Sequence, residues 1–510
     1  MNHMINIKIN NKEHSVEEGQ TILEVCRNLD IEIPHFCYHP GLSIAGNCRM
    51  CLVEVKGMPK LMTACSTVMQ DGMEVLTDSD LVKEARKGVL EFILLDHPVD
   101  CPICDKSGEC NLQDYNFDYG ISERRSIFPK ERHKVEKVSE KIYKNDNRCV
   151  LCTRCIRFLD EVTETHEFTT VERGSHTHIT CVDPEGLDKN PFASNISDLC
   201  PVGALGLNEF RFRKRVWLTD HVRAVCQGCE AGCNLTVDLH TRHTALDPNT
   251  GPVVRFTSAD NYSMQRFFIC DEGRYSYKNY NGTENRLLHP ELDGNDVGVQ
   301  DAKAFIKEAL DSKSAGVIVL SPLVSIEENY AAVLLAEEMG YDLYRPSPFR
   351  KDLPTPALFI EKVKAPNYKM MKLMEIPKVT DMESTDYDVV LVLNSIGSIR
   401  DNSLVKILSL LKRAKYSITF EVERTEFSEN SRLALPAPMF LEEDGCYINA
   451  GKRIQHSNGG LGYPEAVRSL WEWIYPRRFK SPEDLLRQFS KEKLGVELNY
   501  EKIGEEGVEL

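Results

Sequence analysis

Side chains that could bind a metal are concentrated in a short segment between positions 97 and 110. The segment contains one histidine and three cysteines with the spacing H-x3-C-x2-C-x5-C. Pro98 and Pro102 disfavour a helix or strand interior, and Gly108 permits the sharp turn that brings a fourth ligand round. Imidazole nitrogen and thiolate sulfur are ligands of iron and zinc in proteins. The segment therefore predicts a metal centre whose four ligands are His97, Cys101, Cys104 and Cys110.

The histidine has a second interpretation, because a lone histidine after a helix is usually a surface or capping residue. Its spacing to the three cysteines favours the ligand role. A neutral imidazole carries one negative charge less than a thiolate, so it should favour the reduced cluster and raise its potential. We expect a [4Fe–4S] cluster in residues 81–120. Ser79 should open the preceding helix. The expected buried face of this helix consists of apolar residues at helical spacing, namely Leu81, Val82, Ala85, Val89, Phe92 and Ile93.

An earlier set of four cysteines lies in residues 1–80, which the pattern predicts to be a small α+β module. Ile5, Ile7 and Ile9 alternate as in a strand, and Thr21 can cap a short helix. The spacing C-x10-C-x2-C-x13-C resembles the [2Fe–2S] site of the ferredoxin-like β-grasp fold, although the plant-type first gap differs. A structural zinc site is the alternative, but zinc sites usually have paired C-x2-C motifs. The predicted ligands are Cys37, Cys48, Cys51 and Cys65.

A third set combines a tight C-x2-C-x2-C triplet with a later Cys-Pro pair. Bacterial two-cluster ferredoxins take three ligands from such a triplet and the fourth from a remote Cys-Pro. One triplet and one pair predict one [4Fe–4S] cluster in a ferredoxin-like segment, residues 121–218, where Gly203 should let the chain pack against the cluster. The predicted ligands are Cys149, Cys152, Cys155 and Cys200. A basic cluster nearby is expected to be a solvated face and consists of Arg211, Arg213, Lys214 and Arg215.

A fourth set, in residues 219–285, has the pattern C-x2-C-x3-C followed by a distant cysteine. It resembles the N-terminal cluster of molybdopterin oxidoreductases and predicts another [4Fe–4S] cluster. The alternative is a loop that binds zinc or no metal. Residues 247–252 predict a turn between short strands. The predicted ligands are Cys226, Cys229, Cys233 and Cys270.

The chain has 18 cysteines, and all except Cys446 lie between Cys26 and Cys270. Closely spaced thiols of this kind are poor disulfide partners, and reducing compartments do not favour disulfides, so metal binding is the better interpretation. The four predicted sites leave Cys26, Cys181 and Cys446 unassigned. Cys181 is expected to be a buried free thiol, and Cys446 is expected to lie in a core.

Residues 286–510 have a different character. Short apolar runs at 317–320 and 389–393 predict buried parallel strands, and the helical patterns between them indicate a doubly wound α/β domain. No G-x-G-x-x-G motif follows a strand. The segment 434–455 resembles part of the molybdopterin-oxidoreductase fold. Because no cysteine lies between 271 and 445, we expect a shortened scaffold without molybdenum.

The net charge of −16 argues against nucleic acid as a partner. No run approaches the ~20 apolar residues of a membrane-spanning helix, and the polar N-terminus is unlike a signal peptide. The sequence therefore predicts a protein that stays in the cytosol or lies on a membrane only through partner proteins.

The order of the cysteine motifs over the first 280 residues resembles the iron–sulfur large subunits of respiratory NADH–quinone oxidoreductase (complex I, 75 kDa-type or G subunits). The resemblance implies one [2Fe–2S] and three [4Fe–4S] clusters that carry electrons from the flavin of a partner NADH-oxidising subunit toward quinone. It also implies ferredoxin-like and quinone-proximal partner subunits, with membrane contact only through them. The implied location is peripheral, on the cytoplasmic side of the inner membrane and within a multisubunit complex. No complete catalytic site is expected in this chain alone.

Two other functions remain open at this point. Electron-transfer subunits of soluble NAD-linked hydrogenases and formate dehydrogenases share the same N-terminal modules. A hydrogenase catalytic subunit would need further clustered cysteines after residue 270, and a formate dehydrogenase would need a metal ligand in its C-terminal fold. The third possibility is a zinc-rich scaffold with no redox role.

Overall fold

The computed structural model describes residues 3–127, 129–130, 135–240, 251–282, 284–348, 360–383, 386–394, 399, 402–464, 466–475 and 477–510. The chain divides into two compact units, Met1–Thr219 and Asp220–Leu510, each of which has its own elements. Residues 247–250 of the predicted turn lie outside the described residues. Within the described part of the chain, no helix has the length and apolar character needed to span a membrane.

The first unit begins with a mixed sheet crossed by one helix. Its elements are β1 (Met4–Ile9), β2 (Lys12–Glu17), α1 (Ile22–Asn28), β3 (Leu52–Val55), β4 (Met62–Thr63) and β5 (Glu74–Leu76). The strand order is β2-β1-β5-β3-β4, with β1 and β5 parallel and the other pairs antiparallel. Ile5, Ile7 and Ile9 face the core, and Thr21 forms a capping box with Glu24. The predicted strand, cap and β-grasp fold are confirmed.

The rest of this unit consists of short elements joined by the cysteine-bearing loops. They are α2 (Asp80–Ile93), α3 (Asn111–Tyr119), β6 (Val135–Lys137), β7 (Ile142–Asn145), α4 (Arg154–Glu161), β8 (Phe168–Val171), β9 (His178–Cys181), α5 (Pro184–Lys189), α6 (Asn195–Leu199) and β10 (Leu205–Leu207). Strands β10, β7 and β6 form an antiparallel sheet, and β8 pairs with β9. This arrangement leaves the cysteine loops at the ends of helices, where backbone N–H groups are free to approach a ligand.

Helix α2 begins after Ser79, as predicted, because the Ser79 hydroxyl accepts the N–H of Val82. The predicted buried face is wrong in part: Leu81 and Phe92 are 59% and 77% exposed. The inward stripe is instead Val82, Arg86 and Leu90. Arg86 is buried because its guanidinium donates to the carbonyl of Leu52 and the hydroxyl of Tyr119. An inward arginine therefore decides the rotation of the helix, which an apolar pattern does not predict.

The second unit begins with an antiparallel sheet and two short helices. Their bounds are β11 (Thr219–Val225), β12 (Asn234–His240), β13 (Val253–Ser258), α7 (Asp271–Tyr275) and α8 (Tyr277–Asn281). The strand order is β11-β12-β13. The C-terminal half then adds β14 (Glu291–Leu292), β15 (Asn295–Asp296), α9 (Val299–Asp311), β16 (Gly316–Val319), α10 (Ile326–Met339), β17 (Asp342–Tyr344), α11 (Tyr368–Leu373), β18 (Val389–Leu393), α12 (Ser403–Arg413), β19 (Tyr416–Glu421), α13 (Glu426–Glu429), β20 (Leu433–Pro436), β21 (Gly445–Ile448), β22 (Arg453–Ser457), α14 (Leu470–Ile474), α15 (Pro482–Lys493), α16 (Tyr500–Ile503) and β23 (Val508–Glu509).

The large sheet of this half has the order β15-β14-β20-β19-β18-β16-β17. Strands β16 to β20 are parallel and occur in the order 2-1-3-4-5, which is a doubly wound topology. Alternate side chains of β16 point to opposite faces, so Ile318 packs with α10 and Val317 packs with α12. The predicted parallel strands and doubly wound α/β domain are confirmed. A smaller sheet, β21-β22-β23, packs beside it.

Candidate iron–sulfur centres

The first cysteine set lies on the loop between α1 and β3 and on the turn after β4. The backbone N–H groups of Phe36 and Cys37 donate to Cys48 Sγ at 3.4 and 3.5 Å. Hydrogen bonds from the thiols of Cys48 and Cys65 lower the pKa of Cys37, and a hydrogen bond from Cys65 lowers the pKa of Cys51 to about 7. The structure therefore brings the four predicted ligands together and favours the thiolate form that iron requires at two of them.

The third set surrounds a space of about 390 Å3 at the start of α4 and the end of α6. All four cysteines line that space, namely Cys149, Cys152, Cys155 and Cys200. Leu151 and Thr153 have positive φ angles of 51° and 59°, an uncommon conformation that turns the loop inward. The N–H of Leu151 donates to Cys149 Sγ at 3.4 Å. Burial raises the pKa of Cys152 to about 11, so a bound cation is needed to hold this sulfur as a thiolate.

The second set lies on the loop that joins α2 to α3. The Nδ1 atom of His97 is buried and has no hydrogen-bond partner among the described residues. Burial lowers the pKa of His97 to about 4, so the ring is neutral at pH 7 and keeps a lone pair for a metal. Burial, aided by the nearby charge of Cys104, raises the pKa of Cys110 to about 11. Cys101 begins a short 3-10 turn on the same loop. Within this loop the backbone N–H of Cys104 donates to the carbonyl of Cys101 at 3.2 Å, so these two predicted ligands are held close together.

Replacing His97 by cysteine tests its ligand role. We expect His97→Cys to retain a cluster but to lower its midpoint potential, because a thiolate adds one negative charge next to the iron. EPR-monitored redox titration of the reduced protein measures the change. A midpoint identical to that of the wild type would remove His97 from the ligand set.

The fourth set lines a space of about 360 Å3 in the second unit, and its members are Cys226, Cys229, Cys233 and Cys270. Cys270 caps α7, and its Sγ accepts the N–H of Gly273 at 3.3 Å. A side chain at Gly273 would place its Cβ 3.0 Å from Cys226 Sγ, so only glycine leaves the sulfurs free to face the space. Burial raises the pKa of Cys270 to about 11. The arrangement fits a buried group that supplies positive charge to four sulfurs.

The donor sets match the chemistry of iron–sulfur clusters. Four thiolates, or three thiolates and one imidazole, bind such clusters in proteins. Where the structure describes the chain, no group of three or more His, Cys, Asp or Glu side chains is arranged to hold a single metal ion. In the third and fourth sets, all four cysteines line one common pocket, as the ligands of a single cluster must.

The unassigned cysteines differ in exposure. Cys26 and Cys446 are buried, and burial raises the pKa of Cys26 to about 12. The expectation that Cys446 lies in a core is confirmed. The expectation that Cys181 is buried is wrong, because it lies on the β8–β9 hairpin and is partly exposed.

Arginine side chains link the loop of the third set to that of the first. The Arg157 guanidinium donates from one nitrogen to the carbonyl of Cys37 at 2.5 Å and to that of Cys152 at 3.2 Å. Arg154 donates to the carbonyl of Leu199 at 3.2 Å and to that of Tyr38. The first and third ligand loops are therefore in contact through two guanidinium groups.

The third loop also contacts the second. The N–H of Asn111, which follows Cys110, donates to the carbonyl of Pro201 at 3.1 Å. Arg148 forms an ion pair with Asp100 at 2.6 Å and donates to the carbonyl of Gly203 at 3.5 Å. The third loop thus contacts both of the others within Met1–Thr219. The first loop also contacts α3, which follows Cys110, because the N–H of His35 donates to the hydroxyl of Tyr115 at 3.2 Å.

The basic cluster after β10 also takes part in this arrangement. Arg215 donates to the carbonyls of Pro102 and Cys104 in the second ligand loop. Arg211 lies 4.6 Å from the ring centre of Tyr143. The expectation of a solvated face is therefore wrong for these two residues. Because Arg215 is far from this loop in sequence, only the folded chain reveals its role.

Sequence reasoning missed the bridging roles of Arg148, Arg154 and Arg157. Their signal was present in the run R-C-x2-C-T-R-C-I-R, which alternates charge with cysteine. A strongly polar residue between buried ligands needs hydrogen-bond partners. That requirement indicates bridging contacts without identifying the partners.

Three known sequence families match this unit in order. Residues 2–80 match a 2Fe-2S iron-sulfur cluster binding domain, and residues 86–125 match the NADH-ubiquinone oxidoreductase-G iron-sulfur binding region. Residues 139–206 match the ferredoxin-like domain of NADH-quinone oxidoreductase subunit 3. The G subunit of NADH-quinone oxidoreductase from Rickettsia felis is 34% identical over 352 residues, which are 68% of this chain and 51% of that protein. The chain is a homologue of the G subunits of NADH-quinone oxidoreductase.

A second relative of this chain is the NADH-ubiquinone oxidoreductase 75 kDa subunit of Reclinomonas americana. It is 37% identical over 274 residues, which are 54% of this chain and 38% of that protein. The chain spans about half the length of the Rickettsia felis relative. A solved structure of NAD+-reducing [NiFe]-hydrogenase contains a chain that matches 42% of this one at 27% identity and a TM-score of 0.38, with 91% of that chain covered.

The comparisons bear directly on the fold and on the kind of cofactor. A [2Fe–2S] β-grasp domain followed by [4Fe–4S] and ferredoxin-like segments is confirmed for this G-type homologue. The predicted relationship to the 75 kDa-type or G subunits is confirmed as well. The number of clusters, their ligands and the partner subunits stay predictions.

Proposed function

We propose that this chain is an electron-transfer subunit of NADH:quinone oxidoreductase. Electrons come from the flavin of a partner NADH-oxidising subunit and leave through ferredoxin-like and quinone-proximal subunits. The chain works as part of that enzyme and carries no catalytic group of its own. It lies peripherally on the cytoplasmic side of the inner membrane and contacts the membrane only through its partners.

The proposed cofactors are one [2Fe–2S] cluster and three [4Fe–4S] clusters. They are allotted to residues 1–80, 81–120, 121–218 and 219–285, and residues 286–510 form a scaffold without molybdenum. The proposed iron ligands are Cys37, Cys48, Cys51 and Cys65; His97, Cys101, Cys104 and Cys110; Cys149, Cys152, Cys155 and Cys200; and Cys226, Cys229, Cys233 and Cys270.

The observation that carries the proposal is that the third ligand loop contacts both the first and the second. From Cys37 to Cys152, the route needs only the two hydrogen bonds of Arg157. From Cys200 to Cys110, it needs one hydrogen bond, between Pro201 and Asn111. Bound clusters at these sites supply one-electron carriers. We infer that electrons pass the clusters in the order first, third, second, which differs from their order in the sequence.

Substitution of the buried Cys155 tests this order of electron transfer. We expect Cys155→Ser to abolish the third cluster, because a buried serine hydroxyl is a poor replacement for a thiolate ligand. The assembled complex is then mixed with NADH and examined by rapid-freeze EPR. Of the first and second clusters, the one nearer the flavin should be reduced, and the one beyond the missing third cluster should stay oxidised. Cys181→Ser is the matched control, because it makes the same atomic change at a cysteine outside the four sets.

Equal rates of reduction at the first and second clusters of Cys155→Ser would contradict the proposed order. Iron, sulfide and zinc analysis of anaerobically purified protein tests the broader proposal. Stoichiometric zinc without a reduced-cluster EPR signal favours the scaffold alternative. Copurification with a nickel-containing subunit favours the hydrogenase alternative, and copurification with a flavoprotein and membrane-arm proteins favours the respiratory complex.

A further inference from the structure

Arg154 is the first residue of α4 and lies between two predicted ligands of the third set. Its side chain is only 8% exposed. One terminal nitrogen donates to the carbonyl of Leu199, which precedes Cys200, and the other donates to that of Tyr38, which follows Cys37. The guanidinium therefore lies between the first and third ligand loops.

The charge of Arg154 is not neutralised by a carboxylate. Among the described residues it forms no ion pair, and its Nε atom is buried without a hydrogen-bond partner. Burial lowers the pKa of the Arg154 guanidinium, and the nearby sulfurs of Cys152 and Cys200 oppose that shift. Arg148 is different, because Asp100 neutralises it at 2.6 Å. A buried and unpaired cation is strongly disfavoured unless an anionic group lies beside it.

Clusters with four thiolate ligands carry net negative charge, and each gains one more negative charge on reduction. A nearby cation stabilises the reduced form more than the oxidised form, so it raises the reduction potential. Burial makes this effect stronger, since little water or salt lies between the charges. An exposed arginine should hardly change the reduction potential, because water and salt screen its charge.

We propose that the guanidinium of Arg154 is an electrostatic bridge that raises the reduction potentials of the first and third clusters together. The inference rests on the proposed function, because it requires clusters at both sites. Arg148 contributes little net charge between the third and second clusters, because it is paired with Asp100 at 2.6 Å. The two bridges therefore differ: Arg154 acts by charge, whereas the Arg148–Asp100 pair acts mainly by holding the loops together.

EPR-monitored redox titration of the full chain with its clusters tests this role. We expect Arg154→Gln to lower the midpoints of the first and third clusters and to leave the fourth unchanged. The expected change is at least tenfold in the reduced-to-oxidised ratio at a fixed potential, which is about 59 mV for a one-electron couple. Arg154→Lys keeps the charge and should restore most of the shift. Arg173→Gln is the matched control, because it removes the same charge from an exposed position of the same unit.

A second variant reverses the sign of the effect. Asp100→Asn leaves Arg148 unneutralised, so the midpoints of the second and third clusters should rise. If Arg154→Gln fails to fold, this variant still measures how a buried arginine charge changes the midpoints of the neighbouring clusters. The inference is overturned if Arg154→Gln retains its clusters with unchanged midpoints. If only Asp100→Asn folds, unchanged midpoints in that variant overturn it. In both cases the proposed function remains intact. Wild-type protein without iron would instead overturn the proposed function.

Discussion

Gly203→Ala is expected to abolish the second cluster while leaving the third, although Gly203 follows a ligand of the third. A Cβ built at Gly203 lies less than 3.0 Å from Cys104 Sγ, a distance that real Cβ atoms essentially never show. Arg148 and Lys106 crowd the same position at 3.4 Å, so the new methyl group cannot move aside. Cys104 must therefore shift, and a displaced ligand cannot complete the site. EPR of the reduced protein and iron analysis measure the loss.

The control for this substitution is Gly88→Ala in the middle of α2. No atom lies within 4 Å of a Cβ built there, so the extra methyl group meets open space. Alanine in a helix interior should stabilise the protein by about 0.5–1 kcal/mol relative to glycine. The second-cluster signal is assigned beforehand from its shift in His97→Cys. If Gly203→Ala retained that signal at full intensity, the close packing of the second and third loops would be disproved.

The second large effect is expected in the C-terminal half, where Glu443→Gln should reduce the pH dependence of the free energy of unfolding. Glu328 and Glu443 are buried beside each other, and each influences the pKa of the other. Glu328 also accepts the N–H of Leu470 at 2.8 Å, and Glu443 accepts the hydroxyl of Ser469. Burial raises the pKa of Glu328 to about 8 and also raises that of Glu443. The folded chain therefore keeps a proton on this pair at pH 7.

The direction of the effect follows from proton binding. An unfolded glutamate has a pKa of about 4.3, so above that value the folded state binds more protons than the unfolded state. The stability due to this pair is fully present below about pH 4.3 and is lost as the pH rises through about 8. Glutamine mimics the protonated carboxyl, so Glu443→Gln should increase the free energy of unfolding at pH 8 by about 1–3 kcal/mol.

Urea unfolding at pH 5 and pH 8 measures this difference. Fluorescence of Trp471 and Trp473, which lie in the adjacent α14, reports on this part of the protein. Glu429→Gln is the matched control, because it makes the same change at an exposed carboxylate. A Glu443→Gln protein that loses stability between pH 5 and pH 8 as steeply as the wild type would contradict the shared-proton interpretation.

The structure explains why the predicted buried face of α2 is wrong in part and why the predicted strands β16 and β18 are confirmed. Helix α2 has the predicted cap but not the predicted face, because Arg86 finds buried acceptors on β3 and α3. A buried arginine is rare, so apolar periodicity alone assigns it to solvent. In contrast, β16 and β18 are apolar on both faces, and such runs leave few alternatives to a buried parallel strand.

Local spacing was sufficient to select the candidate ligands, to place the cap of α1 and to predict parallel strands in the C-terminal half. Each of these properties depends on residues that are close in sequence, and side-chain chemistry at a fixed spacing carries the information. The contacts among the three cysteine loops were decided only by the tertiary structure. Arg154, for example, bonds to residues 45 and 116 positions away, and no local pattern specifies such partners. Burial makes those distant contacts energetically important. Charged groups and sulfurs that are removed from water need compensating partners, and the tertiary structure decides which residues those partners are.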